Sequence, residues 1–398
     1  MSVERSVRTP ISLTELERRW KLIRAAMKEK GVDGLLASDD NKWLGGYVRY
    51  LCDIPGEHCY PKTVYFPIDE EMYLFNSGGE PLPPSPPEWA VRGVKQRQMR
   101  PYFRTLNYTD PMDAELVADA IKRRGDKRVA ILGAGKFPLF LYKYIEEKLS
   151  GVELVDMTDE IDAIKAVKSP EEIERCREAC RVQDIICAAM PTIIRPGKYE
   201  YQIRGEIVKI LFDLGGEEFL IMIGSSSPGS QTGQFHPFYQ NRQIKKGDQV
   251  LIMIEVNGPG GYYGEIARTW SLGEPPEELV KAYAAAVEAQ HLAARLLKPG
   301  VLPYTVAEQV NEFMVGKGYL ADKRLMIHGQ GYDLVERPGF QPGETMLLQS
   351  NMFLAVHPIA LTPDFQTYAF SCDDYLLTEQ GAELIHKTPQ EIIVVPCY

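Results

Sequence analysis

IEVNGPGGYYGEIART, residues 254–269, sets a glycine-rich turn between two glutamates, Glu255 and Glu265. The residues ahead of it, Val250, Leu251, Ile252, Met253 and Ile254, form an unbroken apolar run that reads as a buried strand. Gly258, Pro259, Gly260 and Gly261 supply the turn. The stretch is therefore a predicted hairpin with a carboxylate on each arm. Two acids facing each other across a buried hairpin need a cation, a proton or a solvent-exposed rim.

The rest of the chain bounds what that hairpin serves. At 398 residues, two domains are expected. Hydrophobic residues make up 44% and charged ones 25%, the composition of an ordinary globular protein. A net charge of −10 argues against nucleic acid and anionic membranes as partners. No apolar run approaches the roughly 20 residues that span a bilayer. The charged start, MSVERSVRTP, lacks the apolar core of a secretory signal, and the seven cysteines show no CxxC spacing. A cytoplasmic location with reduced thiols is the expectation. Cys176, Cys180 and Cys187 share one helical stretch and read as packing residues.

Periodicity and punctuation predict a helix over 13–31 stopped by Gly31, then strands at 34–37, 63–67 and 72–75. The proline-rich residues 81–89 are expected to be irregular. A helix at 112–123, a strand at 128–132 and a helix at 138–149 follow. The GAGKF turn at 133–137 resembles a dinucleotide fingerprint, but Pro138 stands where the third glycine belongs. A tight strand-to-helix turn is the expectation there. Ser169, Pro170, Glu171 and Glu172 open a long helix in the expected manner. The domains are therefore predicted at 1–160 and 161–398.

The second domain carries signs of an internal duplication. Arg195-Pro196-Gly197 and Lys298-Pro299-Gly300 both end helical stretches, and at the same offset Tyr201 matches Tyr304, Ile203 matches Val306, Ile207 matches Val310 and Gly215 matches Gly318. Two similar α/β halves are expected to form a site where they meet. Polar residues at the inferred strand ends would line it. These are His236 in GQFHPF, Glu255, Glu265, His328 ending RLMIH, His357 inside MFLAVHPIA, and Cys372-Asp373-Asp374 before YLLT. Several buried polar groups on separate strands satisfy one another most economically when they are close together.

In order and spacing, IKAVKSPEEIE, the glycine-serine loop before His236, Lys246-Gly247-Asp248, GYYGEIART, HGQG and LLTEQGAE resemble the pita-bread-fold family of creatinase, prolidase, aminopeptidase P and methionine aminopeptidase. The resemblance spans essentially the whole chain. It implies an α/β (α+β) fold: a creatinase-type N-terminal domain, then a pita-bread domain with pseudo-twofold duplicated halves. The family's metallopeptidases hold two divalent ions with two aspartates, a histidine and two glutamates. By that resemblance Glu265 stands at the second aspartate and His328 at the histidine. His357 and Cys372 stand at the two glutamates. The first aspartate falls on Ile254, one step from Glu255, so the side to which Glu255 points is open.

Creatinase works without metal and uses a histidine as acid/base, and His236 matches that histidine in position. The resemblance therefore implies a hydrolase cleaving a C–N bond in a small polar substrate, a small molecule recognised without any nucleic-acid or membrane partner. His236, Glu265, His328 and His357 are its catalytic candidates; Glu255, Tyr262, Tyr263 and Asp373 are its substrate-binding candidates. No cofactor is expected. If a single divalent ion is bound, Glu265, His328, His357 and Asp373 are the expected ligands. The alternatives are a metal-dependent Xaa-Pro peptidase with unusual ligands, a lyase on the same scaffold and a non-catalytic binding protein. Arg268 is expected to pair with a carboxylate. The resemblance also implies a homodimer in which residues 49–61 of one subunit reach the other's pocket.

Overall fold

Ser12 accepts a hydrogen bond from the Glu15 amide at 3.1 Å and starts helix α1, Leu13–Lys30, which Gly31 ends at φ 69°. That residue needs the left-handed region, where a side chain is strained. The computed structural model describes residues 9–44, 46–77, 91–100, 112–228, 230–231 and 242–396. The chain divides into two compact units, Met1–Lys165 and Ala166–Tyr398.

In the first unit α1 is followed by β1 Gly34–Asp39, α2 Gly46–Cys52, β2 Lys62–Pro67, β3 Met72–Ser77 and β4 Val94–Arg100. Then come α3 Met112–Arg124, β5 Arg128–Ile131, α4 Leu139–Lys148, β6 Glu153–Asp156 and α5 Thr158–Ala166. The strands form one mixed sheet in the order β4-β3-β2-β1-β5-β6. Leu36, Tyr65, Val117, Ile121, Val129 and Ile145 are among the buried side chains between this sheet and helices α3 and α4. GAGKF is the expected tight turn: Gly133 has φ 65°, and its carbonyl accepts from the amides of Lys136 and Phe137, both at 2.8 Å. The proline-rich residues 81–89 lie outside the described residues.

The second unit begins with α6, Pro170–Ile193. Ser169 and Glu172 cap it reciprocally: the Glu172 amide donates to Ser169 Oγ and the Ser169 amide to Glu172 Oε2. There follow α7 Glu200–Asp213, β7 Phe219–Ser226, β8 Gln249–Asn257, β9 Tyr263–Ser271, α8 Glu277–Leu296 and α9 Pro303–Gly316. The remainder is β10 Ile327–Gly329, β11 Glu336–Gly339, β12 Phe353–Val356, β13 Ile359–Leu361, β14 Tyr368–Phe370, β15 Asp373–Thr378, β16 Gly381–Leu384 and β17 Ile393–Val394.

The halves of this unit repeat one another. Helices α7 and α9 are each 14 residues long and stand at the offset that relates Gly197 to Gly300. Both glycines are left-handed, at φ 93° and 84°, as are Gly215 at 83° and Gly318 at 89°. Ile203 and Ile207 bury themselves on α7 as Val306 and Val310 do on α9. One half carries the sheet β17-β9-β8-β7 and the other β11-β10-β12-β15-β16. The bridge between Ala267 and Cys372 joins them.

The hairpin is buried on both faces. Val250, Ile252, Ile254, Val256, Ile266 and Trp270 pack in one cluster with residues of α6 and α7. The alternate residues Leu251, Met253 and Ala267 pack with Ile359, Tyr368, Phe370 and Cys372 of the second half. Each large apolar side chain so buried contributes about 1.5–3 kcal/mol. A one-residue slip would exchange the faces, so the register is strongly specified.

Candidate active site

The β8–β9 ladder pairs Glu255 directly with Glu265. Direct partners in an antiparallel ladder share a face, so both glutamates extend the face that Met253 and Ala267 present to the second half. Both are buried, with 5% and 2% of their surface exposed. Gln330, just past β10, donates from Nε2 to Glu255 Oε1 at 3.4 Å. The Cys372 thiol donates to Glu265 Oε1 at 3.2 Å. His328 Nε2 lies 3.5 Å from Glu265 Oε2, and the His328 ring meets the His357 ring edge-on at 5.1 Å. Ligand-capable atoms of Glu265, His328 and His357 all lie within 4.8 Å of one another.

Hydrogen bonding fixes the proton inventory. His328 Nδ1 is 3.0 Å from the Gly329 carbonyl, which only accepts, so Nδ1 carries a proton. Nε2 then faces the Glu265 carboxylate favourably only with a second proton or with a cation between them. Burial pushes the His328 pKa down, but the hydrogen bond and charge of Glu265 outweigh it and leave it raised. Burial pushes His357 down to about 4, only partly offset by Glu265. Burial alone would raise Glu265; the charge of His357, when it is protonated, and the hydrogen bond and charge of His328 hold it down at about 2. Near neutral pH His357 is uncharged, so the ionised state of Glu265 rests on His328. Burial and then the charges of Glu265 and Asp374 raise Glu255 well above the ordinary carboxylate range. Of the two, Glu255 is therefore the one that binds a proton more readily.

A cavity of about 770 Å³ lies in the same unit, lined by none of these cluster residues. Met222, Ile359, Leu361, Phe365 and Tyr368 line its apolar wall, and Arg324 lines it too. Arg324 is held by Asp322 at 2.7 Å and donates to the His357 carbonyl at 3.2 Å.

The sequence model of metallopeptidase family M24 matches residues 174–379, more than half of the chain and most of the second unit. The chain belongs to metallopeptidase family M24. Probable dipeptidase PepE of Mycobacterium bovis is 29% identical over 254 residues, 62% of this chain and 65% of its own length. The chain thus spans slightly under two thirds of that relative. The Xaa-Pro dipeptidase of Pyrococcus furiosus is 25% identical over 264 residues, 65% of this chain and 74% of its own. The crystal structure of X-Pro aminopeptidase from Thermotoga maritima superimposes with a TM-score of 0.77 at 20% identity, over 96% of this chain and 99% of that one. Dipeptidase PepE from Mycobacterium ulcerans gives 0.76 at 23%, over 98% and 100%. These likenesses bear out the expected α/β fold, an N-terminal domain followed by a pita-bread domain.

The M24 family is one of metal-dependent hydrolases, so the cluster's fit to metal is decided by its donors. Two ions need carboxylates that bridge them. Here Glu255 and Glu265 face each other, while the other inward donors are His328, His357 and Cys372. Glu265, His328 and His357 are close enough to share one ion, and among the described residues the buried Nδ1 of His357 has no hydrogen-bond partner.

The predicted residues separate into groups. Glu255, Glu265, His328 and His357 come together, and Cys372 joins them. Asp373 does not, contrary to its expected place as substrate or ion ligand. Its neighbours Cys372 and Asp374 turn toward Glu265, and the two-residue period of a strand sends Asp373 to the opposite side. There it binds Arg268 Nη2 at 2.6 Å, with Gln290 and Gln390 on its other oxygen. Arg268 thus has the carboxylate partner expected for it. The Tyr262 hydroxyl donates to the helix-capping Glu172 at 2.7 Å, and its ring packs at 4.2 Å on Tyr332. Tyr263 is fully buried, and its amide donates to the Gly331 carbonyl at 2.8 Å. Both tyrosines are packed rather than presented to a pocket. His236 lies outside the described residues.

Gln330 carries no site assignment from the sequence, and Asp374 enters only as part of the Cys372-Asp373-Asp374 run, without a role of its own. The signal for Asp374 was present in the alternation of Cys372-Asp373-Asp374, since the residue sharing a face with Cys372 is Asp374. Asp374 Oδ2 accepts the Glu265 amide at 2.8 Å and so fixes the backbone that carries the carboxylate. Among the described residues no helix is long and apolar enough to cross a membrane.

Proposed function

We propose that this chain is a hydrolase that cleaves a C–N bond in a small polar substrate by proton transfer within the Glu255–Glu265–His328 cluster, without the family's two-ion centre. The observation that carries this reading is the facing pair of buried glutamates, Glu255 with its pKa raised by burial and by Glu265, and His328 Nε2 3.5 Å from Glu265. Such a pair supplies both partners of an amide hydrolysis. Glu265, ionised, accepts a proton from water as its oxygen attacks the carbon. Glu255, protonated, donates to the departing nitrogen. The proton gained by Glu265 then restores Glu255, closing the cycle. His328 holds Glu265 in its ionised state and donates to negative charge developing on the substrate, and neutral His357 lines the same space. The cavity beside Arg324 offers an apolar wall with Arg324, Asp322 and Lys323 on it, which suits a small substrate that is part apolar and part polar.

The resemblance to creatinase adds His236 as a further acid/base group and a homodimeric assembly. Sedimentation of the purified chain tests the second, and a monodisperse active monomer would contradict it.

A second reading has a specific observation in its favour. The closeness of Glu265, His328 and His357 suits one divalent ion, and several relatives carry dipeptidase names. A bound ion there would polarise the scissile carbonyl and acidify a water. Turnover of a panel of dipeptides and small cyclic or N-substituted amides, with and without added divalent ions, separates the two. Turnover indifferent to added ions supports proton transfer by side chains; turnover that depends on them supports the second reading.

A further inference from the structure

On the other side of Glu265 a second buried cluster draws on α6, β9, β15 and the segment after β16. Asp374 Oδ2 lies 3.3 Å from Cys180 Sγ and 3.3 Å from His386 Nε2. Ligand-capable atoms of Cys180, Asp374 and His386 all lie within 4.8 Å of one another, and all three side chains are buried.

Gly264 lies against them. A Cβ at that position would come within 2.8 Å of Asp374 Oδ2, 2.8 Å of Gln183 Oε1 and 3.4 Å of Cys180 Sγ. The missing side chain lets these three donor atoms close in over the Gly264 backbone. Gln183 is fully buried, and its Nε2 donates to the Ile254 carbonyl at 2.9 Å, which leaves Oε1 beside Gly264. Asp374 Oδ2 accepts from Cys180, His386 and the Glu265 amide, whereas among the described residues Gln183 Oε1 beside it has no hydrogen-bond partner. A buried oxygen left without a donor is costly unless a cation or a water meets it. Behind His386, Asp184 Oδ1 is 3.6 Å from Nδ1. A carboxylate behind the far nitrogen is the arrangement that orients metal-ligating histidines.

We propose that Cys180, Asp374 and His386, with Gln183 Oε1 as fourth donor, hold a single zinc ion between them beside Gly264, separate from the Glu265–His328–His357 cluster. One thiolate, one imidazole and two oxygens form a four-donor set suited to zinc rather than to magnesium or calcium, which favour oxygen alone. On binding, the Cys180 S–H and His386 Nε2–H bonds break, both protons pass to solvent buffer, and zinc–sulfur and zinc–nitrogen bonds form; His386 keeps its Nδ1 proton facing Asp184, and no electron is transferred. The ion ties α6 to β15 and to the segment carrying His386. It also fixes Asp374, and through it the Glu265 amide.

The inference stands apart from the proposed catalytic chemistry, and its test reads metal and spectrum rather than turnover. The purified full-length chain is loaded with cobalt(II) and examined for sulfur-to-cobalt charge-transfer absorption and for metal content. The expected result is about one cobalt per chain with that absorption, kept in Cys372→Ser and His328→Ala and lost in Cys180→Ser. Because Cys180→Ser can fail to fold, His386→Gln is read beside it: absorption that persists in Cys372→Ser and is lost or shifted in folded His386→Gln supports the site at Cys180. No thiolate absorption in the wild-type chain, or its loss in Cys372→Ser, would overturn the proposal.

Discussion

Glu255 and Glu265 stand directly opposite each other on β8 and β9, on the sheet face turned toward the second half of their unit. Their roles differ through their neighbours: Glu265 has His328 at 3.5 Å, whereas among the described residues Glu255 accepts from the neutral Gln330 amide at 3.4 Å. Replacing each with glutamine separates the two. Glu255→Gln mimics the protonated acid, so its thermal midpoint is expected to stay at or above that of the wild type. Glu265→Gln leaves the doubly protonated His328 without its anion and is expected to lower the midpoint. Both are expected to lose at least about 10² in kcat. Thermal melts of the two variants with a single-substrate rate check this, and equal losses of stability would contradict the assignment of the proton.

His357 gives a pH dependence of definite sign. Its folded pKa is depressed to about 4 from 6.5, chiefly by burial. A base with a depressed pKa binds fewer protons folded than unfolded, so its contribution is complete above about 6.5 and is lost as pH falls toward about 4. Urea midpoints at several pH values across that window are expected to fall more steeply for the wild type than for His357→Gln. Parallel curves would show that His357 is not the group responsible.

Asp373 and Arg268 form an ion pair at 2.6 Å with neither side chain exposed. Removing one member of such a pair strands the other charge, and Asp373→Ala is expected to cost about 3–5 kcal/mol. KM of the folded fraction is expected to be unchanged, since the pair lies away from Glu265. Denaturant titration with steady-state kinetics checks both, and a raised KM at unchanged stability would return Asp373 to substrate binding.

His236 is tested directly. If it shares in proton transfer, His236→Ala is expected to lower kcat by at least about 10², with folding unaffected. A near-normal rate would remove it from the mechanism and leave the Glu255–Glu265 dyad to act alone.

Much of the fold was legible because local chemistry agreed with the global arrangement. Ser169, Pro170 and Glu172 announced α6, Gly31 closed α1, and the matched Gly197 and Gly300 marked the two halves. The site was legible where a residue type was rare in its setting, as with His328 and His357 inside apolar strands. What escaped was parity and partnership. The orientation of Glu255 depends on the length of the GPGG turn, and only the ladder register shows that the shorter turn brings it onto the face of Glu265. Asp373 and Asp374 are adjacent in sequence and opposite in space. Cys180 on a helix reads as packing until Asp374 and His386, nearly two hundred residues later, close around it.

The most direct test of the catalytic proposal is the metal content of His328→Ala beside that of the wild-type chain, each purified without chelator. Proton transfer by side chains requires no ion at the Glu265–His328–His357 cluster, so the two are expected to carry the same amount of metal while the variant loses activity. Loss of metal together with activity in His328→Ala would contradict it and place the chemistry on a bound ion.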